Sequence, residues 1–261
     1  MSPAKTSTMS NKKHKNGIKL WAVVFWLIIW QLAAVVMKQE IFLVSPVSVM
    51  KTLYEMMKQR EFYTRILFST IRVLYGFTIG MLLGALIGAI SAKMRFIRDL
   101  MSPLISVIRS IPVASFILLA VFFLSDGALS VFIAFLICFP VFYTNMLTGV
   151  QSADVQLLEM AHVFRLSPFK KIRHIYFPAV YPHLLSAVSV SIGLAWKSGI
   201  AAEVIAIPDG SIGERLYYVK MYYLTGELFA WTLTIVLLSL ITDFACRLIV
   251  KLIGHRLSGR R

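Results

Sequence analysis

Three ionisable residues lie inside otherwise apolar runs: Arg109, close to Pro112, and then Lys197 and Glu203. Charge at membrane depth is costly, so such groups face a cavity or a partner of opposite sign. Lys197 and Glu203 are six residues apart. That is about 240° around a helix, so they cannot pair within one. For Lys197, lining a path and pairing structurally are both open readings. Glu203 falls near the outer end of its run, where water can reach it. Pro112 interrupts its run and frees backbone groups, which a translocation path can use.

Other chemistry is missing. The five histidines (His14, His162, His174, His183 and His255) avoid the middle of the runs and form no His-x-x-x-His pair. Cys138 and Cys246 are far apart inside apolar segments and read as small buried side chains. There is no Gly-x-x-x-x-Gly-Lys-Ser/Thr loop, so ATP is not bound by this chain. We therefore expect no catalytic residue, no metal and no cofactor, and not an enzyme. A membrane-embedded enzyme or a secondary transporter is the alternative class. The first would need a cluster of His, Asp or Cys at membrane depth. The second more often shows a duplicated half, and none is visible here.

The elements that must position these residues are membrane helices. Hydrophobic residues make up 58% of the 261, and charged residues only 15%, gathered between the apolar runs. Six runs are long enough to span: about 20–37, 71–91, 100–124, 129–149, 181–204 and 229–253. Helices satisfy their own backbone in lipid and open strands do not. The expected fold is an all-α integral membrane protein of six spans. The run 20–37 follows a basic tail but is long for a signal peptide and lacks a cleavage site, so it is a retained span. Expected boundaries are a basic tail 1–19, one transmembrane domain 20–253 and a basic tail 254–261.

The net charge of +15 does not form a nucleic-acid patch. Lys93, Arg95 and Arg98, then Arg165, Lys170, Lys171 and Arg173, then Lys251, Arg256, Arg260 and Arg261, alternate with the spans. The positive-inside rule then puts both termini in the cytoplasm. The segment Lys38–Ser69 is an exception to this pattern, and its amphipathic stretch Pro46–Met57 reads as an interfacial helix lying on the bundle. Gly76, Gly80, Gly84 and Gly88 recur every four residues and let a neighbouring backbone approach closely. Ala187, Ser191, Ala195 and Gly199 repeat the device in the fifth run.

The longest inside loop, 151–178, reads QSADVQLLEMAHVFRLSPFKKIRHIYFP. Its apolar residues Val155, Leu158, Ala161 and Val163 have helical spacing. Ser167 and Pro168 supply an N-cap and an N1 proline for a second helix that ends near Pro178. This helix–turn–helix either packs on its own bundle or docks into a soluble partner. Lys170, Lys171 and Arg173 suit docking or lipid phosphates equally.

Here the chain resembles the permeases of type I ABC importers, in the branch serving nitrate, sulfonate and taurine. The family signature is Glu-Ala-Ala, three residues, Gly, nine residues, Ile, one residue, Leu-Pro. Glu159, Ala161, Ile175 and Pro178 match in register, while Met160, Arg165 and Phe177 depart. Arg165 stands where the family's glycine ends the first helix by a turn that a side chain resists. The resemblance extends from Phe42-Leu43-Val44-Ser45-Pro46 through Ser102-Pro103-Leu104, Arg109-Ser110-Ile111-Pro112, Gly193-Leu194-Ala195-Trp196 and Ala201-Ala202-Glu203 to Gly210-Ser211-Ile212-Gly213. It implies a translocation path for a small solute, with an anion such as a sulfonate, taurine or nitrate favoured by Arg109 and Lys197. It implies a second permease copy in a homodimer, two copies of an ABC ATPase subunit that bind the ATP, and an extracytoplasmic substrate-binding protein, in the bacterial inner membrane. Glu159, Met160, Ala161, Arg165, Ser167, Pro168, Ile175 and Pro178 would couple to the ATPase. Arg109, Pro112, Trp196, Lys197 and Glu203 would line the path.

Overall fold

A computed structural model of the chain describes residues 20–37 and 43–258. The expected tail 1–19 and residues Lys38 and Phe42 lie outside them, as do residues 259–261. Most of the described residues are helical, with no strand among them.

Helix α1 (Leu20–Met37) is apolar except for Gln31 and lies at the edge. Its Trp30 Nε1 donates to the Val44 carbonyl at 3.1 Å, and its ring meets Phe229. Helix α2 (Pro46–Met57) has the expected bounds, with Ser45 capping the Ser48 N–H at 3.2 Å. Its buried Val49, Leu53 and Met56 pack it on the bundle.

Helices α3 (Arg60–Lys93), α6 (Asp126–Gln151) and α9 (Phe177–Ala206) form the core. Helix α6 runs between the other two. The glycine stripe of α3 is what seats it there. A Cβ at Gly80 would come within 2.8 Å of the Cys138 Cβ, and one at Gly84 within 2.7 Å of the Phe139 carbonyl. Real side chains do not approach so closely, so only glycine permits this helix spacing. Ala187, Ser191 and Ala195 of α9 are buried on the other side, and Gly199 meets Val73 of α3.

The third expected span, 100–124, is not one helix. Helix α4 (Arg95–Ser110) and helix α5 (Val113–Val121) meet at 96° across Ile111 and Pro112. Proline cannot donate to the turn before it and forces the preceding residue out of the helical region. Nine residues rise about 14 Å, so α5 alone cannot cross a hydrocarbon core of about 30 Å. Four helices of the described residues are long and apolar enough to span, and the bent pair makes a fifth. Helix α1 is apolar but shorter.

The loop 151–178 holds α7 (Val155–Val163) and α8 (Pro168–Lys171). A second expectation fails here. The helix beginning at Pro168 does not end near Pro178 but continues through a π-helical turn, Ile172–Tyr176, into α9. Pro178 lacks an N–H, and its ring crowds the carbonyl four residues back. The wider π-turn, closed by Phe177 N–H on the Ile172 carbonyl, accommodates it. After α9 come α10 (Ile212–Met221) and α11 (Thr225–Ser258), so most of the expected tail 254–261 is helical.

Candidate functional site

Two regions carry the residues singled out above. The first is the α7–α8 loop. Asp154 caps α7, accepting the Gln156 N–H at 2.8 Å. At its other end Arg165 adopts φ +49°, the left-handed conformation. The Arg165 N–H bonds the His162 carbonyl and the Leu166 N–H bonds the Ala161 carbonyl, both at 3.0 Å. That pair of bonds is the Schellman termination which glycine normally serves. Arg165 therefore keeps the turn, at a conformational cost of about 1–2 kcal/mol. The loop closes on a small core of Ala153, Ala161 and Ile175, flanked by Leu158, Leu166 and Tyr176.

The eight loop residues divide. Ala161 is 0% exposed and Ile175 is buried, so neither forms an outer surface. Glu159, Met160, Arg165, Ser167, Pro168 and Pro178 are exposed. Ser167 caps by position, but its side chain makes no capping bond. The expected apolar stripe splits as well. Leu158 and Ala161 turn inward, whereas Val155 and Val163 turn outward together with Phe164 and Phe169, Val163 being 76% and Phe164 72% exposed. Of these, Val155, Val163 and Phe164 lie outside the helices long enough to span, whereas Phe169 falls in the long helical run Pro168–Ala206. Arg165, Lys170 and Lys171 are their neighbours in sequence.

The second region is the middle of the bundle. Arg109 leaves the end of α4 and donates from Nη2 to the Pro140 carbonyl at 3.1 Å and to Thr144 Oγ1 at 2.5 Å, both on α6. Pro112 is exposed at the elbow beside it. Lys197 is exposed on a face of α9 that also shows Ser189, Val190 and Ala201. Lys197 has no ion-pair partner among the described residues.

Trp196 and Glu203 do not join that face. Trp196 is buried, and its Nε1 donates to Thr242 Oγ1 of α11 at 2.8 Å. Glu203 is 0% exposed and reaches no water. Its Oε2 accepts the Ser69 hydroxyl at 2.6 Å and the Gly213 N–H at 3.3 Å. The chain turns back after α9 because Ile207 adopts φ +53°, folding the start of α10 onto Glu203. A Cβ at Gly213 would overlap Glu203, so α10 can approach only through a glycine. Glu203 is thus a bond between helices.

Sequence reasoning passed over the groups that complete this region. Ser69 carries no signal in sequence. Arg72 does, as an arginine one residue inside the expected second span. It lies in electrostatic range of Glu203, with its guanidinium 3.6 Å from the centre of the Phe68 ring. Arg65 bridges Glu61 and Glu214, meeting Glu214 Oε2 at 2.5 Å and the Ser211 carbonyl at 2.9 Å. Thr144 was equally silent. No group of three or more His, Cys, Asp or Glu suited to a metal occurs among the described residues.

A family model described as binding-protein-dependent transport system inner membrane component matches residues 80–258. The chain is 25% identical over 238 residues to a putative aliphatic sulfonates transport permease protein, SsuC, of Bacillus subtilis strain 168, covering 90% of this chain and 85% of that one. It is 25% identical over 194 residues to a nitrate import permease protein, NrtB, of Synechocystis sp. strain PCC 6803, covering 70% of each. A crystal structure of an amino acid ABC transporter with histidines shares the fold, with TM-score 0.52 and 18% identity over 72% of this chain and 90% of the other.

Proposed function

The chain belongs to the binding-protein-dependent transport system inner membrane components, the permeases of ABC importers, and from that premise we propose that it forms the translocation path for a small anion driven by a separate ATPase. Two copies of the chain enclose the path. Two ATPase subunits bind at the end carrying α7 and α8, and an external binding protein delivers solute at the end carrying α10. Both termini are cytoplasmic. The names of the sulfonate and nitrate relatives support an oxyanion as the solute.

One observation carries the coupling part of this reading. Val155, Val163 and Phe164 leave exposed apolar side chains at the tip of a loop whose own core is already closed by Ala161 and Ile175. Exposed apolar surface of this kind, ringed by polar groups, marks a site of protein association. A knob built on two short helices passes motion of the ATPase into α9, because α8 and α9 are joined without a break. The basic residues Arg165, Lys170 and Lys171, close to the tip in sequence, suit an acidic border on the receiving groove.

The test is capture and hydrolysis. A tagged chain should bring down an ATPase subunit, and the purified complex in lipid should hydrolyse ATP faster when loaded binding protein is added. Phe164→Asp and Glu159→Ala should weaken both. Normal capture and normal stimulation in both variants would remove the loop from the coupling role.

A further inference from the structure

Several arginines of the membrane helices and the adjoining α10 are neutralised: Arg65 meets Glu61 and Glu214, Arg215 pairs with Glu227 at 2.8 Å, and Arg247 pairs with Asp243. Arg72 makes no ion pair among the described residues and lies only in the longer-range field of Glu203, over the Phe68 ring. Arg109 and Lys197 have no carboxylate partner among the described residues. Both are exposed on the surface of the single chain. A cation in mid-span does not sit against lipid without a partner, so these two face water or a ligand.

The bonds of Arg109 orient it without neutralising it. A guanidinium has five N–H groups. The two on Nη2 are taken by neutral acceptors, the Pro140 carbonyl and Thr144 Oγ1. The one on Nε and the two on Nη1 remain, in the fork that fits an oxyanion. Thr144 is itself fixed, since its hydroxyl donates to the Pro140 carbonyl at 2.8 Å.

The two cations lie at different depths. Cys138 Sγ reaches the Ser191 carbonyl, and Ser130 lies against Gly199, so α6 and α9 run antiparallel with residues 130 and 138 level with 199 and 191. Lys197, two residues before Gly199, is therefore level with residue 132 of α6. Arg109 is held at residues 140 and 144, which is 8 to 12 residues further along. At 1.5 Å per residue the separation is about 12–18 Å. A nitrate or a sulfonate headgroup is too small to bridge that distance.

We propose that Lys197 and Arg109 are two successive stations for one small oxyanion, Lys197 nearer the α10 end and Arg109 nearer the α7 end, and that Thr144 is the positioning residue of the inner station. This rests on the reading of the chain as an anion permease. A single clamp would hold its ligand. Two stations within one path let an anion leave the first while the second attracts it, as passage requires.

The experiment reads local potential and needs no knowledge of the natural solute. Cys138 and Cys246 are replaced by alanine, and single cysteines are placed one turn from each cation, as Ser106→Cys near Arg109 and Ala201→Cys near Lys197. The full-length chain is labelled in native membranes together with its ATPase subunits. Two thiosulfonate reagents of similar size are compared, one bearing an ethylsulfonate anion and one an ethyltrimethylammonium cation. A cationic station raises the local anion concentration by about tenfold or more, and the ratio of anionic to cationic labelling rises with it. Arg109→Met should collapse the ratio at position 106 and leave position 201 unchanged. Lys197→Met should do the reverse. Thr144→Val should lower the ratio at position 106 with Arg109 still present, and Thr144→Ser should restore it, which a purely structural role would not produce. Equal labelling by both reagents at both positions, unchanged by these variants, overturns the stations while leaving a water-filled path. Labelling by neither reagent overturns the path itself, and the stations with it.

Discussion

Ser69 on α3 donates its hydroxyl to the Glu203 carboxylate on α9 at 2.6 Å and accepts the Ile212 N–H of α10 at 2.9 Å. One hydroxyl thus ties α3 to the consecutive helices α9 and α10, which lie 134 and 143 residues further along the chain at these bonds. Both groups are fully buried, so neither can exchange its partner for water. Ser69→Ala strands the Ile212 N–H and weakens the hold on Glu203, at a cost of about 1–3 kcal/mol. Thermal unfolding of the purified chain should show a lower Tm. An unchanged Tm would mean that the junction does not bear on stability.

Arg165 occupies a left-handed position that glycine adopts without strain. Arg165→Gly should stabilise the chain by about 1 kcal/mol or slightly less, since the relief of strain is offset in part by the freer unfolded chain. Arg165→Ala keeps a Cβ in the same conformation and should gain nothing. The pair of Tm values separates backbone strain from loss of the guanidinium, because both variants remove the charge.

The glycines of the bundle are not equivalent. Gly84→Ala would place a Cβ 2.7 Å from the Phe139 carbonyl and should cost about 1–3 kcal/mol through displacement of α3 from α6. Gly193 has nothing within 4 Å of its virtual Cβ. Gly193→Ala should be neutral, or stabilising by up to about 1 kcal/mol from helix propensity. Denaturation of both variants side by side checks the contrast, and equal losses would contradict it.

Loop variants should separate into two kinds. Ala161→Trp places a large ring in a fully buried position beside Ala153 and Ile175 and should lower the amount of folded chain. Phe164→Asp acts at an exposed position and should change stability by no more than about 0.5 kcal/mol. Its loss should be in capture of the ATPase subunit, by about tenfold or more if Phe164 is an anchor. If Phe164→Asp lowers folded yield as much as Ala161→Trp, the apolar tip belongs to the chain's own packing.

Much of the bundle is legible in the linear pattern. The bounds of α1 and α2, the close approach at Gly76–Gly88 and the helix start at Pro168 follow from local rules of hydropathy, side-chain size and backbone freedom. Prolines show the limit of those rules. Pro112 breaks its helix by 96°, whereas Pro178 is absorbed by a π-turn and Pro140 lies inside α6. The residue type is the same at all three positions, so proline alone does not foretell a break, a wider turn or an intact helix.

By itself the sequence determined the family, the helical class and which segments are apolar, because period and composition are local properties that lipid and backbone chemistry read directly. It also marked Arg109, Lys197 and Glu203 as ionisable groups at membrane depth, since charge in an apolar run is visible without a fold. Only the tertiary structure decided their parts. Glu203 became a buried tie because Ser69 lies 134 residues away in sequence and beside it in space. Arg109 is oriented because Thr144, from another helix, meets its guanidinium, and Lys197 has no carboxylate partner among the described residues. Pairing depends on which faces of two helices meet. That is fixed by close packing across the whole bundle, and no stretch of sequence contains it.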